Sequence, residues 1–413
     1  MPPSPAAIFR ASVVLPTPDE PVIQMRCGGT RELGGRTRAP ARLNSSVRQT
    51  SRQPHDAPAA GVTPAGDRIA DQITAGPQGS APVPMSILEL AGVGVGSTPA
   101  AALADTTALA GAAERWGYHR FWVAEHHGLP AVASAAPPVL LAHLAAHTSR
   151  LRLGSGGVML PNHAPLVVAE QFGTLAALHP GRIDLGLGRA PGTDQLTTFA
   201  LRRRSGNGDP DDFPERLAEL RHFLRRDFPA GHPFAAINAT PMADIPVWLL
   251  GSSDFSARLA GRLGLPFAFA HHFAGAGGNT GIALDIYRSE FTPSDVLQEP
   301  WSMIGVTALA ANTDAEARYQ ARAGALSMLL LRSGRLRQTP TPEQAAEYPY
   351  TQSELDLIAA IGSTEVVGTP DAVADGIHQL VKDFGVDEVM ITTRVHDAAT
   401  RLRSFELIAG QWT

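Results

Sequence analysis

Eight short apolar runs, each followed by a segment of helical pattern, recur along residues 85–413. The sequence predicts strands at Ile87–Gly94, Arg120–Glu125, Leu151–Gly156, Ile183–Gly188, Pro246–Leu250, Phe267–Ala270, Met303–Ala310 and Glu388–Thr392. These runs are apolar nearly throughout instead of alternating, which marks strands buried on both faces, as in a parallel sheet covered by helices. Eight such units predict an α/β fold of the (β/α)8 TIM-barrel kind, the rival being an open doubly wound sheet. Helix punctuation agrees with the strand spacing. Ser97 or Thr98 offers an N-cap, Pro99 suits the first helical position, and Gly117 can end that helix. Two connections exceed ordinary loop length. Residues 191–245 follow strand four and contain a short helix near 212–227. Residues 332–369 follow strand seven and form a candidate mobile lid, with a further helix near 371–384 before the last strand. In a barrel both insertions project from the C-terminal face, where active sites lie.

Residues 1–84 have a different composition. They hold 13 of the 34 prolines, nine arginines against six acidic residues, one aromatic (Phe9) and no sustained periodicity. Such a stretch cannot bury enough apolar surface to offset its ordering entropy, so it reads as a disordered or non-native extension. Met85 opens a strand and is a candidate start codon. The single cysteine, Cys27, lies in the extension, which excludes a disulfide framework, a multi-cysteine metal site and thiol catalysis for 85–413. The single lysine, Lys382, falls in an outer helix, which argues against Schiff-base chemistry. A net charge of −5 gives no case for nucleic acid. No run approaches the ~18 apolar residues of a membrane span. A soluble cytoplasmic protein is expected.

Five motifs stand where strands leave the core. Gly92-Val93-Gly94-Val95-Gly96 lacks the third glycine of a dinucleotide fingerprint and reads as space for a ligand near the first strand end. Glu125-His126-His127 closes strand two; alternation puts Glu125 and His127 on one side and His126 on the other. Histidine there suits acid–base work, the bland alternative being a rim cluster that holds a loop. A metal reading would need a further ligand, such as His271 or His272, and no ligand spacing singles one out. Gly154-Ser155-Gly156-Gly157 permits a flat ligand against the backbone, or simply a bulge in the wall. Arg189 can bind a phosphate bidentately, or pair with a rim acid such as Glu125 or Asp194. Gly251-Ser252-Ser253-Asp254 opens a helix, which makes an anion site or an ordinary N-cap.

Taken in series, Phe121–His127 (FWVAEHH), Leu153–Ala164 (LGSGGVMLPNHA), Ala169–Arg189, Val247–Ser253 (VWLLGSS) and Gly385–Thr393 (GVDEVMITT) resemble the bacterial luciferase-like family of flavin-dependent oxidoreductases. The likeness runs from Met85 to the C-terminus. It implies a barrel with FMN at its C-terminal face. Gly156 and Gly157 would lie beside the isoalloxazine, at a bulge that often holds a non-proline cis peptide. Arg189, Ser252 and Ser253 would hold the phosphate, His126 would assist chemistry, and 332–362 would close over the site. Ser252 stands where luciferase itself has an acidic residue, so light emission is not implied. The resemblance further implies a monooxygenase in which reduced FMN and molecular oxygen form a flavin hydroperoxide that oxygenates a small-molecule substrate. A separate NAD(P)H flavin reductase would supply the reduced flavin, and a homodimer would form through the early helices. The alternatives are a deazaflavin-dependent dehydrogenase on the same fold and a flavin-binding protein without turnover.

Overall fold

The computed structural model describes residues 65–74, 81–190, 192–202, 212–239, 241–275 and 278–412. The expected extension lies mostly at 1–64, outside the described residues. Nine strands form one parallel sheet: β1 Met85–Glu89, β2 Arg120–Val123, β3 Arg152–Met159, β4 Ile183–Gly188, β5 Val247–Gly251, β6 Phe267–Phe269, β7 Ser302–Ala310, β8 Glu365–Gly368 and β9 Glu388–Thr392. Eight of them run β6-β5-β4-β3-β2-β1-β9-β7, and β6 pairs with β7 to close a TIM barrel. The extra strand, β8, pairs only with the upper half of β7, at Thr307–Ala310. Its run Glu365–Gly368 is short and half-buried, which is why apolar-run reasoning passes over it.

The helices are α1 Ala65–Ile73, α2 Pro99–Trp116, α3 Pro137–Ala146, α4 Pro165–Leu178, α5 Gln195–Leu201, α6 Phe213–Arg225, α7 Asp254–Arg262, α8 Thr280–Ser289, α9 Asp314–Arg332, α10 Pro342–Glu347, α11 Gln352–Gly362, α12 Pro370–Phe384 and α13 Ala398–Ala409. None among the described residues is long and apolar enough to cross a membrane. The predicted caps of α2 are present: Thr98 accepts from the Ala101 amide and Gly117 adopts φ 83°. The insertion after β7 is not an open loop. Thr341 with Gln344, and Thr351 with Glu354, form reciprocal capping boxes that start α10 and α11. Both signatures stand in the sequence, but they were hidden among the prolines.

Strand β1 stops at Glu89, earlier than the sequence suggests, because the Glu89 carboxylate accepts from the Ala91 amide at 2.8 Å while Ala91 turns to φ 52°. Gly94 then packs against the loop after β9; a Cβ there would lie 2.8 Å from the His396 ring. Its glycine character thus serves loop packing, whereas Gly92 borders a cavity.

The floor of the barrel is polar and closed. Arg120, fully buried, donates from Nε to both Glu388 oxygens at 3.0 Å and from Nη1 to Asp184 at 2.9 Å. Arg152 meets the other Asp184 oxygen at 2.5 Å, and Ser86 donates to Glu388. The two positive and two negative groups cancel, as burial demands. Burial pushes the Asp184 carboxyl up, but Arg152 and Arg120 outweigh it and hold that carboxyl below its usual range. The remaining donor of Arg120, Nη2, reaches the Ile73 carbonyl at 2.6 Å. Helix α1 therefore belongs to the barrel, with Ile69 and Ile73 in its core. Residues 65–73, which fall within the expected disordered or non-native extension, are helical. The helix is too short, and too isolated in a proline-rich stretch, to be read from periodicity.

Candidate active site

Alternation along β2 sets the first side of the site. Arg120 sits at the floor, Trp122 packs edge-on against Trp248 at 5.4 Å in the middle, and Ala124 and His126 face the upper cavity. The opposite parity keeps Glu125 and His127 together and off that cavity, on the side away from His126, as predicted. Glu125 Oε1 takes hydrogen bonds from His127 Nε2 and His163 Nε2, each at 2.8 Å. These three are the group among the described residues whose ligand atoms converge closely enough for a metal ion. Both imidazoles already bond the carboxylate, so the trio clamps the loop after β2 to the loop after β3. His163 was not foreseen as its third member, because its partner lies 38 residues away in sequence. His271 and His272 stay apart from it, bonded to Thr280 and to the Gly305 carbonyl.

All six sequence-predicted site residues, His126, Gly156, Gly157, Arg189, Ser252 and Ser253, line one cavity of about 310 Å³ at the C-terminal ends of β2 to β5. Its other walls are largely apolar, including Leu88, Leu250, Phe269, Met303 and Met390. The parallel sheet explains the convergence, since every strand end opens on the same face.

The wall at β3 is bare backbone. The register of β3 against β4 shifts between Ser155 and Val158, and the Gly156–Gly157 peptide is cis. Glycine is required by close approach: a Cβ on Gly157 would sit 2.8 Å from the Gly186 carbonyl oxygen, and one on Gly186 2.1 Å from that of Ser155. Across the cavity, Ser253 is the N-cap of α7 but its hydroxyl accepts no capping bond. The first amides of α7 and the Ser252 and Ser253 hydroxyls are thus available to an anion. Ser256, one turn along, also faces the cavity; it was missed because its position reads as an ordinary helical serine. Arg189 lies over the Phe255 ring at 4.1 Å and pairs with no carboxylate among the described residues. The expected rival partners are committed elsewhere, Glu125 to its two histidines and Asp194 to capping α5.

His126 Nδ1 lies 3.2 Å from the Gly192 carbonyl oxygen, which can only accept. Nδ1 therefore carries the proton and Nε2 is the free lone pair. Burial lowers the His126 pKa against the opposing pull of that carbonyl and of Glu125, so the ring is neutral at pH 7. Gly192 (φ 66°) supplies this contact from the loop after β4; its role follows from tertiary contact alone. The whole constellation fits a flat group lying against glycine backbone, with an anionic tail between an unpaired guanidinium and an uncapped helix start.

Residues 83–388 match the protein family described as luciferase-like monooxygenase. A luciferase-like monooxygenase of Escherichia coli K12 is 45% identical over 327 residues, spanning 79% of this chain and 96% of that protein. An N-acetyl-S-alkylcysteine monooxygenase of Bacillus subtilis is 37% identical over 327 residues, 79% of this chain and 97% of its own. Among solved structures, apo-MsnO8 superposes with a TM-score of 0.73 at 39% identity, covering 80% of this chain and 99% of that one. Two more distant chains share the fold at 18% identity. One is the oxygenating constituent of 3,6-diketocamphane monooxygenase of Pseudomonas putida in complex with FMN (TM-score 0.60, 80% and 97% covered). The other is the coenzyme F420 dependent tetrahydromethanopterin reductase of Methanopyrus kandleri (TM-score 0.55, 80% and 99% covered).

Proposed function

Because this chain belongs to the luciferase-like monooxygenase family, we propose that it is a flavin-dependent monooxygenase that uses reduced FMN and molecular oxygen to oxygenate a small organic substrate. The observation that carries this reading is the joint lining of one cavity by His126, the Gly156–Gly157 backbone, Arg189, Ser252 and Ser253. Gly156 and Gly157 would bear the flavin ring, and Arg189 with the Ser252–Ser253 turn would hold its phosphate. A reduced flavin held there would supply the two electrons needed for one oxygen atom to enter the substrate and the other to leave as water. The chain's own residues do the rest. Apolar walls exclude water, which would otherwise divert reactive oxygen chemistry. His126, held by the Gly192 carbonyl through Nδ1, presents Nε2 as acceptor of a proton from substrate or flavin. A separate NAD(P)H flavin reductase would supply reduced FMN.

The test is direct. Full-length protein should bind FMN, measured by quenching of flavin fluorescence, and form oxygenated product only when reduced FMN, oxygen and substrate are all present. Arg189→Ala should weaken FMN roughly 10- to 100-fold, as expected for a lost charge-assisted contact worth about 1.5–3 kcal/mol. Unchanged FMN affinity would remove Arg189 from the phosphate site. Turnover with a reduced deazaflavin under argon would replace the monooxygenase reading with a dehydrogenase one.

A further inference from the structure

A second cavity, of about 130 Å³, adjoins the first and shares Leu90, His126, His272 and Phe273 with it. The two histidines come from opposite walls. His126 follows β2 and His272 follows β6, and these strands lie four places apart around the eight-stranded barrel. Both rings therefore stand where the two cavities meet. The second cavity is lined mostly by apolar side chains, among them Leu129, Val132, Met328 and Leu336. Its charged groups are paired. Arg401 donates from Nη1 to Glu89 at 2.9 Å, and Arg394 pairs with Glu365 at 3.5 Å while its Nη2 reaches the His272 carbonyl. An ionic ligand would enter this space without a free counter-charge.

His272 is held in one orientation. Its Nδ1 lies 2.9 Å from the Gly305 carbonyl oxygen, which can only accept, so Nδ1 carries the proton and Nε2 the free lone pair. The ring lies across Gly305, where a Cβ would sit 2.9 Å from Nδ1 and 3.0 Å from Cε1. No group among the described residues donates to Nε2. That nitrogen also keeps accessible surface, in contrast to the sealed and partnerless nitrogens of His119, Trp248 and Trp301, and its surface opens on the cavities that the ring lines. Burial, and after it the Arg394 charge, push the ring's pKa down to about 3, so the ring stays neutral and Nε2 is an acceptor only. An acceptor that faces an apolar space is left unsatisfied until a donor enters.

We propose that His272 binds substrate: its Nε2 accepts a hydrogen bond from the O–H or N–H of a small, uncharged, otherwise apolar molecule that lies at the junction of the two cavities, opposite His126. The inference rests on the monooxygenase reading and names the substrate class of the same site. The volume limits the apolar body, since a cavity of about 150 Å³ accommodates a benzene-sized molecule.

The test titrates phenol and benzyl alcohol, each against the hydrocarbon of the same shape, toluene and ethylbenzene, into full-length protein by isothermal titration calorimetry. Phosphate buffer is used, to occupy the anion site at Arg189. Leaving water costs a hydroxyl more than a methyl group, so an apolar cavity without an acceptor favours the hydrocarbon. Here at least one hydroxyl compound should bind about threefold or more tightly than its hydrocarbon, as one net hydrogen bond allows. Benzyl alcohol should also bind about tenfold or more tightly than benzoate, whose charge finds no partner. His272→Phe should reverse the hydroxyl preference. His272→Gln, whose amide oxygen can stand in for Nε2, should keep part of it, with FMN affinity unchanged in both. Hydroxyl and hydrocarbon probes binding alike to the wild type, no probe binding, benzoate binding as well as benzyl alcohol, a hydroxyl preference surviving in His272→Phe, or loss of FMN affinity in that variant would each overturn the proposal. The wild-type comparison decides the matter even if His272→Phe does not fold. Hydroxyl selectivity without FMN binding would sink the flavin reading and keep this one; FMN binding without hydroxyl selectivity would do the reverse.

Discussion

At the scale of single residues, two histidines in the site are held neutral by different neighbours. His126 keeps its proton on Nδ1 through Gly192 and offers Nε2 to the cavity. Replacing it with alanine should lower coupled oxygenation by roughly 100-fold or more, the usual range for a lost general acid–base group, with FMN affinity within about threefold. If every measured rate survives the change, His126 has no catalytic part. His272 is more deeply buried, bonded to the Gly305 carbonyl and close to the Arg394 charge. Burial first, and Arg394 second, push its pKa from 6.5 down to about 3. Below pH 6.5 the unfolded chain takes up a proton at this ring that the folded chain refuses. Stability from this group is therefore full above pH 6.5 and lost as pH falls toward 3. At pH 5 the loss is about 2 kcal/mol, at 1.36 kcal/mol per unit. Denaturant midpoints at pH 7 and pH 5 should converge in His272→Asn relative to wild type. An equal acid penalty in both proteins would refute the assignment.

Among elements, the informative ones are those the sequence misjudged. Helix α1 caps the barrel floor, with the Ile73 carbonyl on Arg120 and the Ile69 and Ile73 side chains in the core. Nearby, Trp412 Nε1 donates to the Val83 carbonyl at 2.9 Å. A chain starting at Met85 should fold into the same barrel but lose about 3–6 kcal/mol, since fully burying each isoleucine contributes about 1.5–3 kcal/mol. Chemical denaturation of the two proteins checks this, and equal midpoints would show that α1 adds nothing. The short helices α10 and α11 teach the complementary lesson. Their capping boxes are local signals, legible without any tertiary information, yet a lid reading based on length and proline content overlooks them.

For the whole molecule, helices α3 and α4 leave Val139 72%, Val167 45% and Leu178 65% exposed. The sequence shows these two helices apolar on more than one face, which suggests burial beyond the barrel. We expect a homodimer through this surface. Light scattering at micromolar concentration should give twice the chain mass for wild type and a single chain mass for Val139→Asp combined with Leu178→Asp. A monomeric wild type would rule the interface out.

The sequence by itself determined the barrel. Apolar runs buried on both faces and punctuated helices leave few other ways to satisfy the backbone, and strand polarity then forces every strand end onto one rim. It also marked the strand-end motifs that hold His126, Gly156, Gly157, Arg189, Ser252 and Ser253, because polar or side-chain-free residues there break an otherwise apolar pattern; the choice of these six within the motifs came from the family resemblance. Only the tertiary structure decided which polar groups remain free. Glu125 and Arg189 look like partners in sequence, yet His127 and His163 occupy the carboxylate and the guanidinium is left over a phenylalanine ring. Arg394 and Arg401 lie seven residues apart, yet each pairs with a carboxylate remote in the chain, Glu365 at 3.5 Å and Glu89 at 2.9 Å. Hydrogen-bond satisfaction is settled by contacts between residues far apart in the chain, and these have no periodicity to read.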